Sequence, residues 1–101
     1  MSFTDQQVQA VWEKGRVVGN NDPNVWRKDD CEAWIHRRSY GNRESQYGWE
    51  IDHITPESQG GTDDIDNLRP LQWENNATRQ DDPNAPCAVT ASGTANAPAR
   101  R

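Results

Sequence analysis

Large apolar side chains are scarce in this sequence: 32% of its 101 residues are hydrophobic, with one Met and one Phe, against roughly 45–50% in an average globular domain. No apolar run approaches the roughly 20 residues of a membrane span, and the stretch from Met1 to Val11 lacks an apolar signal-peptide core. We therefore expect a cytoplasmic protein with a small core and no membrane partner. Aromatic rings bury large areas and partly compensate. The expected aromatic core is Trp12, Trp26, Trp34, Trp49 and Trp73.

Basic charge is also in short supply. Eleven Lys and Arg stand against sixteen Asp and Glu, a formal net charge of −5, which argues against a polybasic binder that gains its affinity from many phosphate contacts. An enzyme that holds phosphate through a metal ion and a few arginines is still compatible with this charge. Arg37, Arg38 and Arg43 form a local basic patch. We predict that they contact a nucleic-acid backbone, and a solvated charged face is the alternative.

Cysteine is limited to Cys31 and Cys87, which are 56 positions apart. Neither has a Cys or His partner at zinc-finger spacing, so a zinc site made of cysteines is not expected. The count alone permits a disulfide. Because Cys87 lies in a segment without structural signals, we predict two reduced thiols in a reducing compartment.

The chain divides into three regions. Residues 1–19 hold a helix and a linker, with the helix predicted over 5–14 because Val8, Val11 and Trp12 share one helical face. Thr4 and Gln7 form a capping box at its start. Residues 20–82 hold the remaining structural signals. Residues 83–101 carry almost no large apolar side chain to offset the entropy of ordering, so we predict a disordered tail.

The central region predicts an α+β domain. Strands are predicted over 33–36, 49–54 and 68–73, with Pro70 suited to an edge position. A short helical turn is predicted over 63–66 and a helix over 74–80. The order is therefore strand, long loop, strand and helix. One problem concerns Asp52 and His53, which are adjacent and point to opposite faces of a regular strand. Both reach one site only if the strand ends, twists or bulges there.

Polar residues and glycines occupy fixed spacings along this order. The pattern is D-H, thirteen residues, N, eight residues, N, with a glycine pair in the loop and a basic residue near the end. The residues are Asp52, His53, Gly60, Gly61, Asn67, Asn76 and Arg79. The stretch from Trp49 to Gln80, about a third of the chain, resembles the HNH endonuclease family in its HNN variant. The resemblance implies a small ββα-metal core, also called a His-Me finger, over 49–80 within a nuclease domain over 20–82.

The resemblance also implies roles for these residues in cleaving DNA, including nicked or branched forms. His53 would be the general base, since imidazole titrates near neutral pH. Asp52 and Asn76 would hold one divalent metal, and their oxygen donors favour Mg²⁺, with Mn²⁺ as the alternative. Asn67 would tie the loop and orient His53. Arg79 lies at i+3 from Asn76 on the predicted helix and would grip the phosphate.

The sequence departs from the family in one structural feature. Many members bind a structural zinc through two CxxC pairs, whereas this chain has Gln72, Asn75 and Trp34 at three of those positions. No structural zinc is therefore expected. Two other functions stay open, namely a non-catalytic module that binds nucleic acid or protein and a metal-stabilised structural domain. The oligomeric state is not predicted.

Overall fold

Two α-helices and three two-stranded antiparallel sheets make up the computed structural model, which describes residues 2–99. This mixture confirms the predicted α+β class. Neither helix within that range has the length and hydropathy that crossing a bilayer requires.

Helix α1 (Asp5–Trp12) begins with the predicted capping box. The Thr4 hydroxyl accepts from the Gln7 backbone N–H, and the Gln7 side chain accepts from the Thr4 backbone N–H. The helix ends two residues earlier than predicted, at Trp12. Its apolar face packs into the core, where the Trp12 and Trp49 ring centroids lie 5.4 Å apart. Of the five tryptophans, only Trp12 and Trp49 are fully buried. The prediction of a five-tryptophan core is therefore wrong for Trp26, Trp34 and Trp73, which are half-buried.

Strands β1 (Trp26–Lys28) and β2 (Trp34–His36) form the first hairpin. The sequence predicted β2 but not β1. The three residues of β1, Trp-Arg-Lys, do not alternate between apolar and polar side chains, and all three are half-buried. The strand therefore lacks the pattern by which a sequence predicts a strand.

Strands β3 (Trp49–His53) and β4 (Leu68–Gln72) pair with Asp52 opposite Arg69, and helix α2 (Trp73–Asp81) follows directly. The predicted order of strand, long loop, strand and helix is confirmed. Pro70 sits opposite Ile51 in a sheet of two strands, where both strands are edges and a missing N–H is tolerated. The Gln72 side chain caps α2 by accepting from the backbone N–H of Glu74.

The third hairpin, β5 (Val89–Ser92) with β6 (Ala95–Pro98), lies in the segment predicted to be disordered. That prediction is wrong for residues 89–98, because polar contacts and a covalent bond order the segment where apolar side chains could not. Cys31 and Cys87 form a disulfide, so the prediction of two reduced thiols is also wrong.

A buried carboxylate joins this hairpin to the rest of the domain. Asp29 is 2% exposed and accepts from the backbone N–H groups of Cys31, Ala33 and Gln72 and from the Asn75 side chain. The side-chain Oδ1 of Asn75 in turn accepts from the backbone N–H groups of Ala88, just before β5, and Val89, at its start. Gln72 and Asn75, at positions where the family resemblance places zinc ligands, therefore belong to a closed hydrogen-bond network.

Candidate active site

A cleft of about 330 Å³ opens where β3 ends, between the following loop and helix α2. Asp52 and His53 from β3, Glu57 from the loop and Arg79 from α2 all line it. The two adjacent β3 side chains still make different contacts. Asp52 bonds to Arg79 on α2, whereas the His53 ring lies 6.1 Å from the Phe3 ring. Both line one cleft because the strand stops at His53.

The Asp52 carboxylate is 5% exposed and held by two arginines. Its Oδ2 accepts from Nε of Arg69 at 2.8 Å and from Nε of Arg79 at 3.0 Å. Burial by itself would lower the pKa of the Arg69 guanidinium, but its bonds to Asp52 and Asp30 outweigh burial and raise that pKa. The cluster therefore consists of charged groups. Both arginine bonds end on Oδ2 of Asp52, so neither arginine bonds to its Oδ1.

The His53 imidazole is paired with a carboxylate that the sequence did not single out. Its Nε2 lies 2.7 Å from Oδ1 of Asp63, and the His53 side chain is 18% exposed. If neutral His53 donates through Nε2, its Nδ1 carries the lone pair that can accept a proton. In that tautomer Asp63 accepts the Nε2 proton and Nδ1 carries none.

Asn67 ties together both ends of the loop between β3 and β4. Its Oδ1 accepts from the Thr55 backbone N–H at 2.8 Å, and its Nδ2 donates to the carbonyl oxygens of Thr55 and Thr62. Its own backbone carbonyl accepts from the N–H of Ile54. These bonds hold the loop that carries Glu57 and Asp63 against the end of β3, so Asn67 acts on the His53 surroundings through the loop.

Asn76 lies outside the cleft lining, one helical turn before Arg79. It is 2% exposed, and its Nδ2 donates to Oε1 of Glu50 at 2.8 Å. Its Oδ1 is buried and has no hydrogen-bond partner among residues 2–99. The structure therefore does not join Asn76 directly to Asp52, but it leaves Asn76 with a buried oxygen that lacks a donor.

The four arginines predicted to meet nucleic acid have different surroundings. Arg43 makes two bonds, of 2.7 and 2.8 Å, to the Glu50 carboxylate, and these bonds lower the pKa of Glu50. Arg37 donates to the Gln9 side chain and lies over the Trp49 ring, and Arg38 is exposed. Only Arg79 lines the cleft, where it also donates to the Ile54 carbonyl oxygen at 2.6 Å.

Two sets of side chains could hold a metal ion. The first is the predicted pair, Asp52 and Asn76, whose carboxylate and amide oxygens fit a hard divalent cation. The partnerless Oδ1 of Asn76 is consistent with such a ligand. The second set is His53, Glu57 and Asp63, whose ligand atoms all lie within 4.8 Å of one another. No sequence signal separates Glu57 and Asp63 from the other acidic residues of the loop.

One comparison with known proteins gives a match. Residues 31–78 match the family model described as HNH endonuclease. No curated protein and no solved structure matches the chain. The matched segment begins at the disulfide cysteine Cys31, spans β2 through β4, and ends within α2, so it contains the cleft residues described above apart from Arg79 at its edge.

Proposed function

Because residues 31–78 match the family model described as HNH endonuclease, we propose that this protein is a metal-dependent endonuclease that hydrolyses phosphodiester bonds in DNA, including nicked or branched forms. The observation that carries the proposal is the meeting of three groups in one cleft at the end of β3. They are an imidazole, a buried carboxylate and a guanidinium, from His53, Asp52 and Arg79.

His53 is the proposed general base. Its Nε2 bonds to Asp63, so Nδ1 takes a proton from a water molecule as the water oxygen attacks phosphorus. The bond from phosphorus to the leaving oxygen breaks, and that oxygen takes a proton from solvent water. The negative Asp63 carboxylate stabilises the imidazolium that forms, in the way that a buried carboxylate supports a catalytic histidine elsewhere.

Asp52 and Asn76 are the proposed ligands of one divalent metal, with Mg²⁺ favoured over Mn²⁺ because both donors are hard oxygens. A metal held there would supply positive charge that stabilises the phosphate and the leaving oxygen. Arg69 fixes the Asp52 carboxylate from the neighbouring strand. The Arg79 guanidinium lies at the same carboxylate and can turn to a phosphate oxygen, for which its planar fork is well suited.

Contacts to the DNA backbone beyond the cleft are proposed for the basic patch. Arg38 and Arg43 are both exposed, but Arg43 already bonds to Glu50, and the half-buried Arg37 bonds to Gln9. We therefore assign the larger share of backbone contact to Arg38. Such contacts position a duplex without reading its sequence, which agrees with the small surface that one domain of this size offers.

Cleavage of supercoiled plasmid in Mg²⁺ at low salt tests the proposal, with His53→Ala beside the wild type. We expect nicking and linearisation by the wild type and a rate at least about 100-fold lower in the variant, the usual contribution of a general base. His36→Ala is the matched control, because His36 is the second histidine and packs against Trp26 away from the cleft. Equal rates for wild type and His53→Ala would show that His53 is not the base. DNA binding without cleavage would favour the non-catalytic module.

A further inference from the structure

Three metal-ligating side chains gather around the His53 ring, apart from the proposed ligands Asp52 and Asn76. They are one ring nitrogen of His53 and one carboxylate oxygen each of Glu57 and Asp63, within 4.8 Å of one another, and Nε2 is the ring nitrogen that faces Asp63. His53 ends β3, Glu57 lies in the short turn that follows, and Asp63 lies farther along the loop. Asn67 holds both ends of that loop through its three side-chain bonds. The three donors are therefore set by a fixed loop.

The donor chemistry differs from that of the proposed Mg²⁺ site. One imidazole nitrogen and two carboxylates suit a borderline cation such as Zn²⁺, whereas Mg²⁺ prefers ligands that are all oxygen. The two carboxylates also match the charge of a divalent cation. Three protein ligands with water in the fourth position are a common zinc arrangement.

Within residues 2–99, no other interaction accounts for the Glu57 carboxylate. Its side chain is exposed and makes no hydrogen bond or ion pair within residues 2–99. His53 and Asp63 already lie at hydrogen-bonding distance, 2.7 Å. Two ligand atoms on a tetrahedral zinc lie roughly 3.3 Å apart, given zinc–ligand bonds of about 2.0 Å. A small opening of the pair therefore admits the ion.

We propose that His53, Glu57 and Asp63 form a site for Zn²⁺ or a similar borderline cation, distinct from the Mg²⁺ site, and that its occupancy switches the nuclease off. A metal on Nε2 places the ring proton on Nδ1, so His53 can no longer accept a proton from water. The binding part stands on the geometry alone. The inhibition part rests on the proposed function.

Binding is tested by calorimetric titration of the chelator-treated protein with ZnCl₂, together with the ¹⁵N signals of the His53 ring. We expect one Zn²⁺ per chain, a shift at Nε2, and no displacement by Mg²⁺. Glu57→Gln should weaken Zn²⁺ binding at least about tenfold, since even an outer partner of a metal ligand contributes that much. Glu44→Gln, which changes another exposed loop glutamate, should leave binding unchanged. Unshifted His53 signals, or equal affinity in Glu57→Gln, would overturn the site.

Inhibition is tested by adding ZnCl₂ to the Mg²⁺-driven plasmid reaction. Cleavage by the wild type should stop at Zn²⁺ concentrations that fill the site, whereas Glu57→Gln, measured against its own rate without Zn²⁺, should need at least about tenfold more Zn²⁺ to stop. Cleavage that Zn²⁺ supports or leaves unchanged would overturn the inhibitory role. A wild type that binds Zn²⁺ at His53 but never cleaves DNA would sink the proposed function and leave the metal site standing.

Discussion

Two buried aspartates, Asp29 and Asp52, each accept from a side chain of helix α2 but are held in different ways. They are 2% and 5% exposed. Asp29 accepts from three backbone N–H groups and one amide, two bonds on each oxygen. Asp52 accepts from two arginine side chains, both on Oδ2. One carboxylate is thus saturated by neutral donors and the other is neutralised by charged side chains.

The difference separates a structural carboxylate from one that can change partners. Backbone N–H groups cannot leave Asp29 without unfolding the segments that carry them, so that network can only stabilise the fold. An arginine side chain can turn to another anion while its helix or strand stays in place. Asp52 also lines the cleft, whereas Asp29 bonds to Asn75, which in turn bonds to the third hairpin. We therefore expect changes at the two positions to affect different properties, namely activity at Asp52 and stability at Asp29.

The largest expected effect follows from Asp52→Asn. The variant loses the negative charge that we propose for metal binding, and plasmid cleavage should fall at least about 100-fold, as when one electrostatic stabiliser of a transition state is removed. Asp30→Asn is the matched control. Asp30 is exposed and bonds to the other side of Arg69, so this variant should cleave at nearly the wild-type rate. Cleavage by Asp52→Asn within a few-fold of the wild-type rate would show that activity does not depend on the Asp52 charge, contrary to the role that separates Asp52 from Asp29.

A smaller effect is expected from removing the disulfide between Cys31 and Cys87, of which Cys31 also donates its backbone N–H to Asp29. Replacing both Cys31 and Cys87 by Ser should lower the free energy of unfolding in urea by about 2–4 kcal/mol, because the bond closes a long loop in the unfolded chain. The residues are 56 positions apart. Cleavage at a temperature where the variant stays folded should change little, since Asp52 is fixed by β3, β4 and α2. Equal unfolding curves for the variant and the wild type would show that the hairpin is held by its hydrogen bonds alone.

The segments that the sequence did predict carry local signals. Helix α1 has a capping box and an apolar face, and α2 was predicted over 74–80 and observed as Trp73–Asp81. The third hairpin has no such signal. Asn96 holds it by accepting from the Trp34 backbone N–H and by donating to the carbonyl oxygens of Trp34 and Gln46. Gln46 and Trp34 are 50 and 62 positions away from Asn96, and no local sequence pattern predicts such distant pairs.

The candidate site divides in the same way. Fixed spacings pointed to Asp52, His53 and Asn67, because the spacing reflects the strand and loop lengths that the fold needs. Asp63 stood beside Asp64 in a run of equivalent loop acids, and only the folded loop selects one of them for His53. Arg69 was missed because its role depends on the register that places it opposite Asp52.

The smallest expected effect is a difference in pH dependence at Asp29. Burial raises the pKa of this carboxyl above its ordinary 3.8, although its four hydrogen bonds lower it in part. The folded state then binds the proton more tightly than the unfolded state, so the contribution of Asp29 to stability is lost as the pH rises from 3.8 through the folded pKa.

Asp29→Asn removes this titration. The variant should be less stable at every pH because an amide cannot accept from four donors, but its free energy of unfolding should not show the Asp29 decline in that acidic range. Urea unfolding at several pH values measures both slopes, and a raise of one unit in the folded pKa corresponds to about 1.4 kcal/mol across the range. Parallel curves for the wild type and the variant would show that the four donors fully offset burial. Asp29 would then differ from Asp52 in its partners alone.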